Sequence, residues 1–287
     1  MPTQANLITK FANLTTDSIH FGQAKANNRG GKNVPLFDSK GNKLVIALPT
    51  TSCWGMNENI DEQSGRKSYN VNLRLSNDSE MTKKFQAIED WVVAQCVENG
   101  RDWFGKPNMS EDVVRALFYP ILKYPKDRVT QEPDTSRDPS VKLKVGYWEG
   151  DFKVELYSMT GSPLFTQTRR VDDETPMDLV PMNSDIKALV QCDGLWFTAG
   201  RCGVTFKLLQ AKVEEPVRLE GGCFLDSDDD EENNVSQEVA AVVQSSASAN
   251  SDEEEDGNDH EASLDAQPEP EKPKRKKRQV KKKASEN

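Results

Sequence analysis

The stretch SYNVNLRLS, from Ser68 to Ser76, alternates between apolar and polar residues along its length. The apolar positions are Tyr69, Val71, Leu73 and Leu75, and the polar positions between them are Asn70, Asn72 and Arg74. Successive side chains of a β-strand point to opposite faces of the sheet, so this alternation predicts a strand with one buried face.

The segments on either side extend this pattern. LVIALPTT, from Leu44 to Thr51, is an apolar run that ends at a proline and predicts a buried strand. After the alternating stretch, apolar residues recur at helical spacing from Met81 to Val97, with Asn77, Asp78 or Ser79 as the N-cap. A shorter helix is predicted to begin at Ser110 and to end before Pro120.

Further strands are predicted in the second half of the body. The segments are VKLKV (Val141 to Val145), DFKVELYS (Asp151 to Ser158), and IKALVQ, LWFTA and GVTFKLLQAKV between Ile186 and Val213. The order of strands, helices and then strands differs from the alternation of a βαβ protein. It favours an α+β, mostly β body or a partly open β-barrel with an inserted helix.

Charge divides the 287-residue chain into three parts. Residues 1–225 carry 28 basic and 29 acidic side chains and are almost neutral, whereas residues 226–271 carry 17 acidic and no basic side chains. Residues 272–287 carry nine basic side chains and one acidic side chain. This segregation predicts a globular body, a disordered acidic tail and a basic terminal cluster, and it leaves nucleic-acid binding by the body open despite the net charge of −10.

The sequence argues against a secreted or membrane protein. The five cysteines are widely spaced and form no CxxC pair, which is typical of reduced thiols in an intracellular protein. The first residues combine no basic start with an apolar run, and no segment approaches the roughly 20 apolar residues of a membrane-spanning helix.

Catalytic residues are scarce in the sequence. His20 and His260 are the two histidines, and His260 lies in the tail, so no nucleophile–histidine pair is predicted in the body. The segment RGGK, from Arg29 to Lys32, lacks the full spacing of a phosphate-binding loop and is interpreted as an ordinary loop. We therefore expect a protein that is not an enzyme and that needs no metal or cofactor.

Basic and aromatic residues are interleaved on two predicted hairpins. The first carries Lys142, Lys144, Tyr147, Trp148, Lys153 and Tyr157, and the second carries Trp196, Phe197, Arg201, Phe206 and Lys207. Bases of a single strand stack on aromatic rings, and its phosphates attract lysine and arginine, so such a surface favours binding of single-stranded nucleic acid. The competing interpretation is that the rings fill the core and the lysines face solvent.

The charged tail predicts interactions of its own. The basic run Lys274, Arg275, Lys276, Lys277 and Arg278 is typical of a nuclear-import signal or a phosphate-binding arm. The acidic stretch is expected to compete with nucleic acid for a basic face or to recruit basic partners. Ser227 and Ser251 each precede acidic residues and are predicted phosphorylation sites.

The segment DGLWFTAGRCGVTFKLLQAKVEEP, from Asp193 to Pro216, resembles a signature of a protein group of large eukaryotic DNA viruses, such as algal viruses. This group is similar to the OB-fold single-stranded-DNA-binding proteins of short-tailed phages. The matching positions are Gly194, Trp196, Gly200, Arg201, Gly203, Val204, Thr205, Phe206, Lys207, Leu208 and Gln210. The sequence differs from the phage pattern at its end, where a basic cluster follows the acidic stretch and no terminal aromatic residue is present.

The resemblance implies an OB-like barrel that coats single-stranded DNA in replication or recombination. It further implies an acidic tail that regulates access of DNA and contacts replication enzymes, and the basic cluster then suits a nuclear location and an import receptor. The predicted DNA-binding residues are Lys144, Tyr147, Trp148, Lys153, Trp196, Arg201, Phe206 and Lys207. The alternative is a non-enzymatic virion- or chromatin-associated interaction module with a charged tail; the sequence leaves the oligomeric state open.

Overall fold

The alternating segment forms an eight-residue strand with the predicted buried face, in a computed structural model that describes residues 7–26, 30–62, 64–167 and 174–216. The strands in chain order are β1 (Ile8–Lys10), β2 (Ile19–Phe21), β3 (Lys25–Ala26), β4 (Lys32–Val34), β5 (Leu36–Asp38), β6 (Leu44–Ala47), β7 (Thr51–Ile60), β8 (Lys67–Arg74), β9 (Phe118–Tyr119), β10 (Leu122–Lys123), β11 (Ser140–Val145), β12 (Tyr147–Trp148), β13 (Asp151–Phe152), β14 (Glu155–Ser158), β15 (Pro163–Phe165), β16 (Asp185–Thr198) and β17 (Arg201–Glu214). The helices are α1 (Glu80–Glu98), α2 (Gly100–Phe104) and α3 (Glu111–Leu117), with two short 3-10 turns at Phe11–Asn13 and Thr16–Ser18.

Five strands close into a ring. β7 pairs with β8, β8 with β11, β11 with β17, β17 with β16, and β16 returns to β7. The β11–β17 pairing is parallel, and the return from β16 to β7 consists of only two residue pairs, so the ring is partly open. This arrangement confirms the predicted mostly β, OB-like barrel with an inserted helix.

The inserted helix α1 packs its apolar stripe against the barrel. Ser79 caps it by accepting a hydrogen bond from the Thr82 amide at 3.1 Å, which selects one of the three predicted capping residues. Phe85 is fully buried, and its ring centroid lies 5.5 Å from that of Phe206 on β17. Ser110 caps α3 in the same manner, as predicted. None of the helices in the described residues is long and apolar enough to span a membrane.

Three predictions about secondary structure were wrong in detail. The segment from Asp151 to Ser158 forms two strands instead of one, because β13 pairs with β12 whereas β14 pairs with β17. Lys32, predicted to lie in a loop, begins β4, and its ammonium group donates to the carbonyls of Asp102 and Trp103 at the end of α2. Lys142 and Lys144 lie on β11 and share no hairpin with Trp148, since β11 pairs with β8, β10 and β17.

Candidate nucleic-acid interface

Cationic side chains line the outer surface of three neighbouring barrel strands. In the register, Asn70 of β8 lies opposite Lys144 of β11, and Lys144 lies opposite Lys207 of β17. Residues opposite each other on paired strands project to the same face of the sheet. The residues next to them in sequence, Val71, Leu143 and Phe206, are buried on the inner face, so the lysines project outward.

The same face continues along the strands. Lys142 lies two residues before Lys144 on β11 and opposite Asn72 of β8. Ser140, two residues further along β11, lies between Arg74 of β8 and Lys123 of β10. We call the five cations Arg74, Lys123, Lys142, Lys144 and Lys207 the basic strip. The outward positions of β8, β11 and β17 within these rows carry no carboxylate, so the described part of this surface is positively charged.

Trp148 lies at one end of the basic strip. Its side chain is 36% exposed, and the ammonium groups of Lys207 and Lys153 lie 4.7 and 5.4 Å from the ring centroid. The ring rests over Gly146, where a Cβ atom would lie 2.8 Å from Cζ3 of the indole. Glycine at this position therefore allows the indole to lie against the barrel with cations beside it.

A tight turn orients this ring. Glu149 and Gly150 join β12 to β13, and both have positive φ, at 57° and 76°. Two residues of positive φ between paired strands form a type I′ turn, whose twist matches that of a β-hairpin. Tyr147, on the opposite side of the hairpin, is half-buried, and its ring centroid lies 4.7 Å from that of Tyr69. Packing against Tyr69 makes Tyr147 a support for the hairpin.

A shallow cleft lies beside the middle of the strip. Tyr119, Lys123, Lys142 and Lys144 contribute to its walls, and the ammonium group of Lys123 lies 4.4 Å from the ring centroid of Tyr119. Glu89 of α1 holds this segment in place by accepting a hydrogen bond from the Ile121 amide at 2.6 Å. Burial raises the pKa of Glu89, while the amides of residues 121 and 122 and Arg115 act in the opposite direction.

Two acidic groups of the described residues, Asp151 and Glu58, lie near the Trp148 end of the strip. Asp151 forms an ion pair with Lys153 at 2.8 Å, which lowers the positive charge beside Trp148 but leaves Lys207 next to the ring. Glu58 lies beyond Tyr69 and pairs with Lys67 at 2.9 Å. The Tyr69 hydroxyl donates to Glu58, and this bond together with Lys67 lowers the pKa of the carboxyl. Glu58 is therefore a partner of other groups and not part of the strip.

The structure brings four of the eight predicted binding residues together. Lys144, Trp148, Lys153 and Lys207 share the outer face of the barrel. Arg201 is exposed at the tip of the β16–β17 hairpin, away from the strip.

Trp196 and Phe206, two of the predicted DNA-binding residues, are buried, with side chains only 7% and 4% exposed. Phe206 faces the barrel interior, and the Trp196 ring packs over Gly203 and beside Tyr119.

Two residues at the other end of the strip, Trp54 and Arg74, were not predicted from the sequence to belong to a binding site. Trp54 is 38% exposed, and the guanidinium carbon of Arg74 lies 4.3 Å from its ring centroid. Trp54 belongs to β7, which the sequence did not reveal because a bulge between Cys53 and Met56 interrupts the alternation of buried and exposed residues. A Trp-Gly pair inside a strand was the available signal, since glycine within a strand often marks a bulge.

The predictions for the tail fall outside the described residues. These are the acidic stretch 226–271, the basic cluster Lys274, Arg275, Lys276, Lys277 and Arg278, and the phosphorylation sites Ser227 and Ser251. They remain predictions, as does the resemblance to proteins of algal viruses. Within the described residues, no group of three or more His, Cys, Asp or Glu side chains is arranged to hold a metal ion.

No protein-family model matches the sequence, and no curated protein matches it. Among solved structures, the chain is similar to gp2.5, a single-stranded DNA binding protein encoded by bacteriophage T7, with 11% identity, 68% of this chain and 100% of that chain covered, and a TM-score of 0.37. It is also similar to the single-stranded DNA-binding protein from bacteriophage Enc34 in complex with ssDNA, with 9% identity, 69% and 98% covered, and a TM-score of 0.38. These similarities assign no role to individual residues of this chain.

Proposed function

We propose that this protein binds single-stranded DNA along the basic strip, with a base stacked on Trp148. The observation that carries the proposal is an exposed indole placed directly beside Lys207 on a face of five cations. An indole offers a flat apolar surface to a base, and the lysines offer positive charge to the phosphates that flank it. Both halves of a nucleotide are thereby matched within one surface.

The exposed ring favours an unpaired strand over a duplex. In a duplex the faces of the bases are covered by their neighbours, so a protein ring reaches them only by unstacking a base step. A single strand presents those faces without this cost. The basic strip alone would attract either form, because phosphates carry most of the electrostatic affinity. Trp148 is therefore the feature that distinguishes the two substrates.

Each residue has a distinct role in the proposal. Lys144 and Lys207 contact phosphates at the Trp148 end of the strip, and Lys142 extends these contacts toward the Tyr119 cleft. Lys153, which is held by its ion pair with Asp151, packs beside the Trp148 ring and holds it in place. The same ion pair makes Lys153 a weaker phosphate contact. No bond is made or broken in this activity, which is reversible coating of an exposed strand.

The wider role that we propose is coating of single-stranded DNA in viral replication or recombination. The acidic stretch 226–271 would compete with DNA for the basic strip, and phosphorylation of Ser227 or Ser251 would strengthen that competition by adding negative charge. The basic cluster at Lys274–Arg278 would direct the protein to the nucleus through an import receptor. These tail functions rest on sequence composition.

Titration of dT20 into the full-length protein, followed by intrinsic tryptophan fluorescence and by anisotropy of a labelled strand, tests the proposal. Stacking of a base on an aromatic ring contributes about 1–3 kcal/mol, so Trp148→Ala is expected to weaken binding about 5- to 150-fold. Trp148→Phe retains a ring and is expected to retain most of the affinity. Binding to a blunt duplex of equal length is expected to be insensitive to both changes.

Val129→Ala is the matched control, because Val129 is exposed on a loop away from the strip. Unchanged dT20 affinity in Trp148→Ala would contradict the stacking role. If the protein bound no single strand, or if duplex and single strand responded equally to Trp148→Ala, the proposed function would be wrong. The interaction-module alternative predicts unchanged dT20 affinity in Trp148→Ala, because the charged tail would then supply any binding of DNA.

A further inference from the structure

Trp54 and Arg74 form a second exposed, cation-bearing aromatic surface at the end of the basic strip opposite Trp148. Trp54 and Trp148 are the two tryptophans with exposed side chains in the described residues. The Arg74 guanidinium lies over the Trp54 ring at 4.3 Å, and its Nη1 donates a 2.8 Å hydrogen bond to Oδ1 of Asn183. The indole, the guanidinium and the amide are thus held as one assembly.

The backbone around Trp54 is built to present this ring. The bulge between Cys53 and Met56 places two residues, Trp54 and Gly55, opposite the single residue Asn72 of β8. Cys53 and Met56 are therefore both buried, while Trp54 between them projects outward. Gly55 has a φ of 82°, and a Cβ atom there would lie 2.9 Å from the backbone nitrogen of Met182. This close approach requires glycine, and it fixes the direction in which Trp54 leaves the strand.

The loop that carries Asn183 is joined to the same bulge. The Cys53 amide donates to the Ser184 carbonyl at 3.0 Å, and the Asn183 amide donates to the Cys53 carbonyl at 2.9 Å. Asn183 itself has a φ of 66°, a left-handed conformation that asparagine tolerates better than most residues. The anchor of Arg74 is therefore positioned by backbone hydrogen bonds and does not depend on a freely moving side chain.

Packing alone does not explain this arrangement. Trp103 and Trp196 are buried, as is usual for tryptophans that pack in the core, whereas Trp54 remains exposed beside the guanidinium of Arg74. Indole rings and arginine planes are both surfaces on which unpaired bases stack. Arg74 is also a member of the basic strip, so a strand bound there would reach this surface without leaving the cationic face.

We propose that the Trp54–Arg74 assembly is a second base-stacking platform, so that one strand is held by rings at both ends of the basic strip. This inference rests on the proposed function. Arg74 marks the position of one platform on β8, and Tyr69 marks that of the other, because Tyr69 packs against Tyr147, the residue before Trp148. The two positions are five residues apart, about 17 Å at ~3.3 Å per residue. The two platforms are therefore about 15–20 Å apart, which a stacked strand rising about 3.4 Å per nucleotide spans with five or six nucleotides.

Affinities of the full-length protein for dT3 and dT12 test this inference. A trinucleotide is too short to reach both platforms, whereas dT12 spans them. Trp54→Ala is expected to lower the affinity for dT12 about 5- to 150-fold and to lower that for dT3 by about twofold at most, because dT3 still binds at Trp148. Trp54→Phe, which keeps a ring, is the matched control and is expected to bind dT12 nearly as the wild type does.

A second readout separates stacking from a structural role. With 5-iododeoxyuridine placed at each position of dT12, irradiation is expected to cross-link Trp54 and Trp148 at positions about five or six nucleotides apart. Arg74→Lys keeps the charge but loses the planar surface, and it is expected to reduce cross-linking to Trp54 without affecting Trp148. Asn183→Gly removes the anchor without straining the left-handed backbone, and it is expected to have the same effect.

The outcomes distinguish this inference from the proposed function. Weaker dT12 binding in Trp148→Ala, together with unchanged binding in Trp54→Ala, would overturn the second platform alone. Unchanged binding in both variants, or no binding by the wild type, would overturn both proposals. Cross-linking to Trp148 but not to Trp54 at every position of the strand would likewise exclude the second platform.

Discussion

Replacement of Lys144 and Lys207 by glutamine is expected to make single-strand binding less sensitive to salt. These two lysines lie side by side at the Trp148 end of the five-cation strip. For single strands, the logarithm of the binding constant falls with the logarithm of the salt concentration by about 0.7 for each neutralised phosphate. If each strip cation neutralises one phosphate, the slope is about −3.5 for the wild type and about −2.1 for the double variant.

The difference between these slopes is large enough to measure. Between 50 and 200 mM NaCl, the wild type is expected to lose about 130-fold in affinity and the double variant about 20-fold. Anisotropy of fluorescein-labelled dT20 at four or more salt concentrations gives both slopes. Phosphate contacts made elsewhere in the chain add equally to all variants, so the diagnostic quantity is the change in slope.

The matched control replaces two exposed lysines outside the strip, Lys106 and Lys187, by glutamine. This variant has the same net charge as the Lys144 and Lys207 double variant. It is expected to retain the wild-type slope, because its lysines contact no phosphate. Equal slopes for the two double variants would refute the assignment of Lys144 and Lys207 as phosphate contacts and would indicate a general effect of net charge.

Three further predictions follow from individual residues. Gly146→Ala is expected to displace the Trp148 ring and to weaken dT20 binding without unfolding the protein, as measured by titration and circular dichroism. Because burial raises the pKa of Glu89, the folded state binds the proton of this carboxyl more tightly than the unfolded state does. The stability of the wild type is therefore expected to fall relative to that of Glu89→Gln as the pH rises from the ordinary carboxyl range through the raised pKa. Urea titrations of both proteins at a series of pH values measure this difference. Burial raises the pKa of Cys192 to about 12, and all four described cysteines are buried, so a Cys223→Ser variant is expected to react with a thiol reagent at pH 8 only after denaturation.

The elements that depend on local pattern could be predicted from the sequence. The alternation around Val71 predicts β8, and the helical spacing after Ser79 predicts α1 together with its cap. Both follow from the periodicity of the backbone and from hydrogen bonds made within a few residues. Segregation of charge into the body and the tail is likewise a property of the sequence alone.

The binding face depended on the tertiary structure. Trp196 and Trp148 have similar basic and aromatic neighbours in the sequence, yet one is buried and the other is exposed. Lys144 and Lys207 become neighbours only through the parallel pairing of β11 with β17, and Trp54 meets Arg74 only through the pairing of β7 with β8. Local periodicity assigns residues to two faces of a strand, but contacts between distant segments decide which face is covered, and therefore which rings and cations remain accessible to a ligand.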